Sequence, residues 1–401
     1  MCRVTAALAA GVGGFPALLV ARVLTLGNSF LVSVALLWHL GLPAAGTYAL
    51  AAFPAAAANI VSAMGLSNAL PRLGTANGER ATVSLIAWVA ILPPTVVVCA
   101  AYGLAVGTDP AEAAAIAMFA AGGSAFGPLG TQQMLYLLQG RTRWAPLAPA
   151  VQLAGIGLAT FSTDLVWFAA VLTASRLLGC AIGFALLEFR RTSASGVAAA
   201  IHEGLRFLPL DLLAAASDLG AIPLLAGFLS RSELGLFGLA RQFVSVADTP
   251  GWSYVQSRYP GMVADFGAVA SDVAKRNEEI SFASAAAVLL LASATALAIY
   301  RQPALLPVLP LALLPLPARY MNNFCDQALR ACGRIRECAL LGGAKLAISL
   351  TVFLVLPPIS GFWGAVAASA AVSWVSGYAY RRGLLAIYPE SLPHFRIWRF
   401  A

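Results

Sequence analysis

The sequence predicts an all-α integral membrane protein of about twelve transmembrane helices in two six-helix lobes. Composition, the placement of basic residues and an internal repeat carry that prediction. The chain is 60% hydrophobic and 10% charged, with a mean hydropathy of +0.81. A soluble domain carries about 25% charged residues, so lipid must solvate much of this surface. Apolar runs and charged breaks define spans at 17–40, 47–70, 82–106, 112–139, 144–163, 165–187, 207–229, 235–258, 280–300, 303–329, 337–356 and 361–380. Each is long enough to cross a hydrocarbon core of roughly 30 Å.

Basic residues then fix the orientation. Of the 25 Lys and Arg, 18 fall at connections or ends on one side, from Arg3 and Arg72 through Arg190 and Arg191 to Arg399. Only Arg231 and Arg301 fall on the other side. The positive-inside rule makes the first side, and both termini, cytoplasmic. The net charge of +8 therefore reflects topology, and no nucleic-acid partner is expected.

A repeat divides the spans into halves. Gly46-Thr47-Tyr48-Ala49-Leu50-Ala51 resembles Gly235-Leu236-Phe237-Gly238-Leu239-Ala240 at an offset of 189, which also maps Pro71 onto Pro260. Gly140-Arg141-Thr142-Arg143 echoes Gly333-Arg334-Ile335-Arg336 at an offset of 193. Six helices per half give both halves one orientation, related by an axis along the membrane normal. The predicted domains are a lobe over 1–188, a cytoplasmic linker over 189–206 and a second lobe over 207–401.

Several chemistries find no support in the sequence. Cys2, Cys99, Cys180, Cys325, Cys332 and Cys338 form no CxxC pair and read as small apolar residues. His39, His202 and His394 have no plausible partner, and no P-loop, HExxH or GxSxG occurs. No enzyme, metal or cofactor is expected. Ala7-Leu8-Ala9 resembles a signal cleavage site but too few apolar residues precede it.

Nine charges lie inside the spans: Arg22, Arg176, Arg241, Arg319 and Lys345, with Asp211, Asp218, Asp248 and Asp326. Each would cost about 2.5–3.5 kcal/mol facing lipid at mid-helix, so they should face each other or a wet cavity. Spacing agrees, because residues seven apart on an α-helix share a face. Arg241, Ser245, Asp248 and Trp252 form one stripe; Arg319, Asn322, Asn323 and Asp326 another; Arg22, Thr25, Ser29 and Ser33 a third. The basic surplus suits an anionic substrate such as a phosphate, pyrophosphate or acidic sugar. Arg22 and Arg241 lead the binding set, with Arg319, Arg176 and Lys345; the four acids are coupling or ion-pair candidates. The alternative makes these charges ion pairs that fix packing, each Arg the structural partner of an Asp, chiefly Arg241 with Asp248. Pro303, Pro307, Pro310, Pro315 and Pro317 exclude a straight tenth span. Gly123-xxx-Gly127 and Gly179-xxx-Gly183 allow close helix packing.

The stretch from Glu233 to Phe266, with Leu234 through Ala240 and Tyr259-Pro260, resembles bacterial polysaccharide-biosynthesis membrane proteins. So does Arg22 through Ala51, with its Leu40-Gly41-Leu42-Pro43-Ala44-Ala45-Gly46 turn. These are O-antigen-type flippases of the multidrug/oligosaccharidyl-lipid/polysaccharide (MOP) exporter superfamily. The resemblance implies two lobes around a cavity that opens alternately to each side. It implies transfer of a polyprenyl-pyrophosphate-linked oligosaccharide across the bacterial inner membrane during polysaccharide or lipopolysaccharide assembly. Cationic cavity residues on the first helix and in the second lobe are typical, and Arg22 and Arg241 occupy such places. Membrane lipids, glycosyltransferases and a polymerase are the partners it brings, around a monomer. Two other readings of the same fold stay open: a cation-coupled multidrug exporter, and a non-transporting scaffold for glycosyltransferases.

Overall fold

The computed structural model describes residues 15–66 and 76–387, all of them helix, turn or connection with no strand. Arg3, Pro71, Arg72, His394 and Arg399 lie outside the described residues, as do the side chains of Arg22, Tyr259 and Pro260. The chain divides into two compact units, Met1–Ala215 and Ala216–Ala401.

The first unit contains α1 (Phe15–His39), α2 (Gly41–Leu50), α3 (Ala52–Ala63), α4 (Asn77–Val106), α5 (Pro110–Gly122), α6 (Phe126–Leu138), α7 (Leu147–Ala159), α8 (Leu165–Ala185) and α9 (Ala194–Leu205). Most of α10 (Leu208–Leu219) also belongs to it. The second predicted span is bent by 40° between α2 and α3. Pro54 explains the bend, since it has no N–H to donate to the carbonyl of Leu50 four residues back. The Tyr102 hydroxyl takes that carbonyl instead, at 3.0 Å. The fourth span stays one crossing of 24 residues, Pro110–Gln133, with a tighter turn at Gly123–Ala125 between α5 and α6. Pro128 leaves the Ser124 carbonyl free, and the Trp88 indole N–H donates to it at 3.2 Å.

Glycines set the closest approaches in this unit. A Cβ on Gly123 would stand 2.2 Å from the Ala55 carbonyl oxygen, and one on Gly127 2.0 Å from that of Asn59. The constant spacing shows α3 and α6 running parallel, backbone against backbone. Gly179 packs on Ala148 and Gly155 on Ser175, so α7 and α8 are antiparallel. The stretch expected as a plain linker contains α9, whose N-terminus is capped by Ser193 Oγ accepting from Gly196 N at 3.1 Å.

The second unit holds α11 (Ala221–Leu225), α12 (Arg231–Ala264), α13 (Phe266–Ala298), α14 (Val308–Leu313), α15 (Leu316–Ala331) and α16 (Ile335–Ile387). The tenth span is broken, as its prolines require, into a turn at Pro303–Leu305, then α14, then α15. Helix α16 comprises two predicted spans joined at Gly361, whose backbone (φ 55°, ψ −135°) no helix contains. Its arms, 335–360 and 362–387, fold back on each other. Gly364 packs on Leu356, and a Cβ on Gly383 would meet the Leu341 side chain.

Every predicted span thus has a helical counterpart, yet many are shorter than expected. Among the described residues six helices, or seven counting the bent pair, are long and apolar enough to cross a membrane individually. Proline breaks in the second and tenth spans account for part of the difference, and α16, which holds two predicted spans, is counted once. The outer surface is apolar, as lipid demands: Val97, Val98, Leu104, Leu290 and Ile359 are each at least 66% exposed. This is a multi-pass membrane protein.

Candidate functional site

The charges that the sequence placed inside the membrane gather mainly in the second unit. Helix α12 presents Arg241, Ser245 and Asp248 along one side, and α15 packs against it. Arg319 Nε on α15 donates to Asp248 Oδ2 at 2.5 Å. The Arg241–Asp248 pair of the alternative reading therefore does not form. Residues seven apart share a face but sit about 10 Å apart along the axis, beyond the reach of an ion pair. The partner comes from the neighbouring helix.

Tyr320 fixes that junction. Its hydroxyl donates to the Ala247 carbonyl at 2.6 Å and accepts from Gly251 N at 3.2 Å. Asn277 on α13 donates to the Tyr320 carbonyl at 2.9 Å. Both residues are buried. Neither was singled out in the sequence, where only the position of Tyr320 beside Arg319 could have marked it.

Arg241 bonds no carboxylate among the described residues. Its guanidinium stands 5.9 Å from the centre of the Phe237 ring, one turn earlier on α12. Arg241, Ser245, Arg319, Phe237, Val366 and Ser369 line a cleft of about 20 Å³, room for one water molecule. Two guanidinium groups therefore share one small cavity; Asp248 bonds Arg319, while Asp218 and Asp248 attract Arg241 without bonding it.

Lys345 and Asp218 stay within electrostatic reach of this group, Asp218 facing both Arg319 and Arg241, whereas Asp326 does not join it. Lys345 Nζ on the first arm of α16 meets Asp218 Oδ1 on α10 at 2.6 Å. Ser349 Oγ donates to the Ser217 carbonyl at 3.1 Å and fastens the same two helices. Asp326 is occupied at the end of α15, by Arg330 at 2.8 Å and by Cys338 Sγ at 2.8 Å. Its stripe with Arg319 does not bring it to the cleft residues. Asp211 lies half-buried in the first turn of α10.

Arg176 lies in the first unit, on α8, only 4% exposed. It donates to the Tyr48 hydroxyl at 3.2 Å and stands 4.8 Å from the Phe126 ring centre. It too has no carboxylate among the described residues. On α1, Thr25 and Ser33 bond back to carbonyls of their own helix. The residue that reaches across is Asn28, to the Pro149 carbonyl at 3.0 Å and Gln152 Oε1 at 3.2 Å. Glu112 was also missed: buried, it accepts from Thr47 Oγ1 at 3.1 Å and from Thr108 N at 2.8 Å.

No family model matches this sequence, and no curated protein matches it. Solved structures do. The lipid II flippase MurJ in an inward closed conformation superposes with a TM-score of 0.72 at 12% identity, over 95% of this chain and 88% of that one. The fold is that of MOP-superfamily transporters. An inward-facing multidrug resistance MATE transporter of the superfamily gives a TM-score of 0.67 at 14% identity, covering 91% of this chain and 95% of that one. The MATE multidrug transporter DinF-BH gives 0.66 at 13% identity, covering 94% and 95%. At these identities the likeness establishes the MOP fold of this chain and leaves its cargo to be argued from its own residues.

Proposed function

We propose that this protein is a membrane transporter that flips a polyprenyl-phosphate- or pyrophosphate-linked oligosaccharide across the bacterial cytoplasmic membrane by alternating access. Arg241 carries the reading. It is a cation in a largely apolar unit, held by an aromatic ring and set beside Arg319 in one cleft. A guanidinium presents paired donors that match phosphate oxygens. Asp218 and Asp248 attract Arg241 without bonding it, and a substrate phosphate would supply the direct partner. Arg319, held by Asp248, would add a second donor without being free to move. Arg176 and Arg22 belong to the same proposed path, and both termini belong on the cytoplasmic side. The two six-helix lobes, with the stretch 189–206 between them, are the proposed moving parts.

Cation-coupled export of a drug is the second reading, favoured by the MATE likeness. It needs an acid available to a cation. Asp218 and Asp248 instead carry basic partners at 2.6 and 2.5 Å, so a cation would first have to break a pair.

The test is transport of a labelled polyprenyl-pyrophosphate sugar in proteoliposomes. Arg241→Ala should reduce flipping at least about tenfold, the scale of one charged hydrogen bond, at normal protein level. Arg241→Lys should recover only part of it. Unchanged flipping by Arg241→Ala would end this reading.

A further inference from the structure

Helices α12 and α13 meet at Asp265 and run to 34 and 33 residues. Each is about 50 Å long, some 20 Å more than the hydrocarbon core requires. Their joined ends therefore project beyond the apolar part of the membrane. Further in, the two helices pack tightly, with Val244 and Ala247 in one apolar cluster with Ile280, Val288 and Leu289. Near the joined ends they part. Between them lies a cleft of about 630 Å³, with Tyr254 and Arg258 on one wall and Asp272, Lys275, Arg276 and Glu279 on the other.

The second wall is unusual for a helix facing a neighbour. Positions 272, 275, 276 and 279 follow the i, i+3, i+4, i+7 pattern that normally supplies an apolar packing stripe. Here all four are charged. Arg276 is committed to Glu279 at 2.8 Å. Arg258 stands 5.8 Å from the centre of the Tyr254 ring, a cation and an aromatic side by side as at a membrane–water boundary. Arg258, Lys275 and Asp272 carry no ion pair among the described residues. The cleft therefore offers two uncommitted cations and one acceptor at the level where the apolar helix pair gives way to its protruding end.

We propose that this cleft is a binding site for the phosphate headgroup of a membrane phospholipid. Arg258 and Lys275 would hold the phosphate from opposite walls, and Asp272 would accept from a hydroxyl or amine of the headgroup. The acyl chains would lie along the exposed apolar face of α13 at Leu290 and Leu291. The site differs from the Arg241 cleft. Seventeen residues separate Arg241 from Arg258, about 25 Å along the axis, and the two clefts share only α12, the facing wall being α13 here and α14, α15 and α16 there. The proposal does not depend on which substrate the protein moves.

The experiment measures thermal stabilisation of the purified full chain in detergent by dioleoylphosphatidylglycerol, dioleoylglycerol and inorganic phosphate. The expected result is saturable stabilisation by phosphatidylglycerol and none by dioleoylglycerol, which shares the chains but lacks the phosphate. In Arg258→Gln/Lys275→Gln the half-saturating lipid concentration should rise about tenfold or more. Should that variant fail to accumulate, Lys275→Gln alone, at an exposed position, carries the test with a smaller rise. Equal stabilisation of parent and variant overturns the proposal. So does equal stabilisation by dioleoylglycerol. An equal effect of inorganic phosphate would assign the cleft to a soluble anion and overturn the lipid assignment.

Discussion

The same pair of helices is built in two ways in the two units. In the first unit α3 and α6 touch through glycine, with Gly127 against Asn59. The repeat offsets of 189 and 193 carry Asn59 to Asp248 and Gly127 to Tyr320. In the second unit α12 and α15 meet at those places, through Arg319 on Asp248 and through Tyr320 on Ala247 and Gly251. A glycine contact brings backbones together and leaves no room. In the second unit a tyrosine ring seated on Gly251 and an ion pair fill the contact, and beside them lies the cleft of Arg241. The polar interiors follow suit. The first unit satisfies itself mainly with neutral donors such as Asn28, Gln132, Trp88 and Tyr136. The second uses charges. One repeat has become packing, and the other has become chemistry.

Three substitutions test that contrast. Gly127→Val should have the largest effect, because its Cβ alone would stand 2.0 Å from the Asn59 carbonyl. Overpacking between two backbones cannot relax by a rotamer change. Folded protein in the membrane, read by fluorescence-detected size exclusion, should fall to near zero, and a normal profile would show that the glycine contact is dispensable. Next comes Asp248→Ala. It strands Arg319, whose side chain is only 20% exposed. Breaking a buried pair by removing one partner costs about 3–5 kcal/mol. Asp248→Ala/Arg319→Ala should regain much of the lost thermal stability, and no recovery would mean that the pair is not the source of the loss. The smallest effect belongs to Tyr320→Phe. It removes the hydroxyl that serves Ala247 and Gly251 and should cost about 1–2 kcal/mol. A shift in denaturation midpoint confined to Asp248→Ala would show that the ion pair alone holds the contact.

Much of this architecture was legible because apolar length, basic residues and proline each leave a one-dimensional mark. The broken tenth span followed directly from its five prolines. The bend at Ala51 did not, although Pro54 was in view, because its replacement partner, Tyr102, lies on another helix. The charged residues of the second unit were found by face, but their pairing was not. A helical face is a direction, whereas an ion pair needs coincidence in height as well, and that depends on how α12 and α15 are offset. Asn28 and Glu112 escaped because a single buried amide or carboxylate on an apolar helix has no spacing signature. Of the leading candidates, Arg241 lines the cleft, while the side chain of Arg22 lies outside the described residues.

The two carbonyls that prolines release in the first unit have a consequence of another kind. An unclaimed carbonyl inside a bilayer is a foothold for water or a small cation, and a series of them is the beginning of a leak. Leu50 and Ser124 each give up a helical bond to proline, yet a phenol and an indole cover both. The first unit thereby gains the bends of broken helices while remaining electrically insulating at those points. On the alternating-access reading proposed above, the unit could bend at these points without short-circuiting a gradient across the membrane.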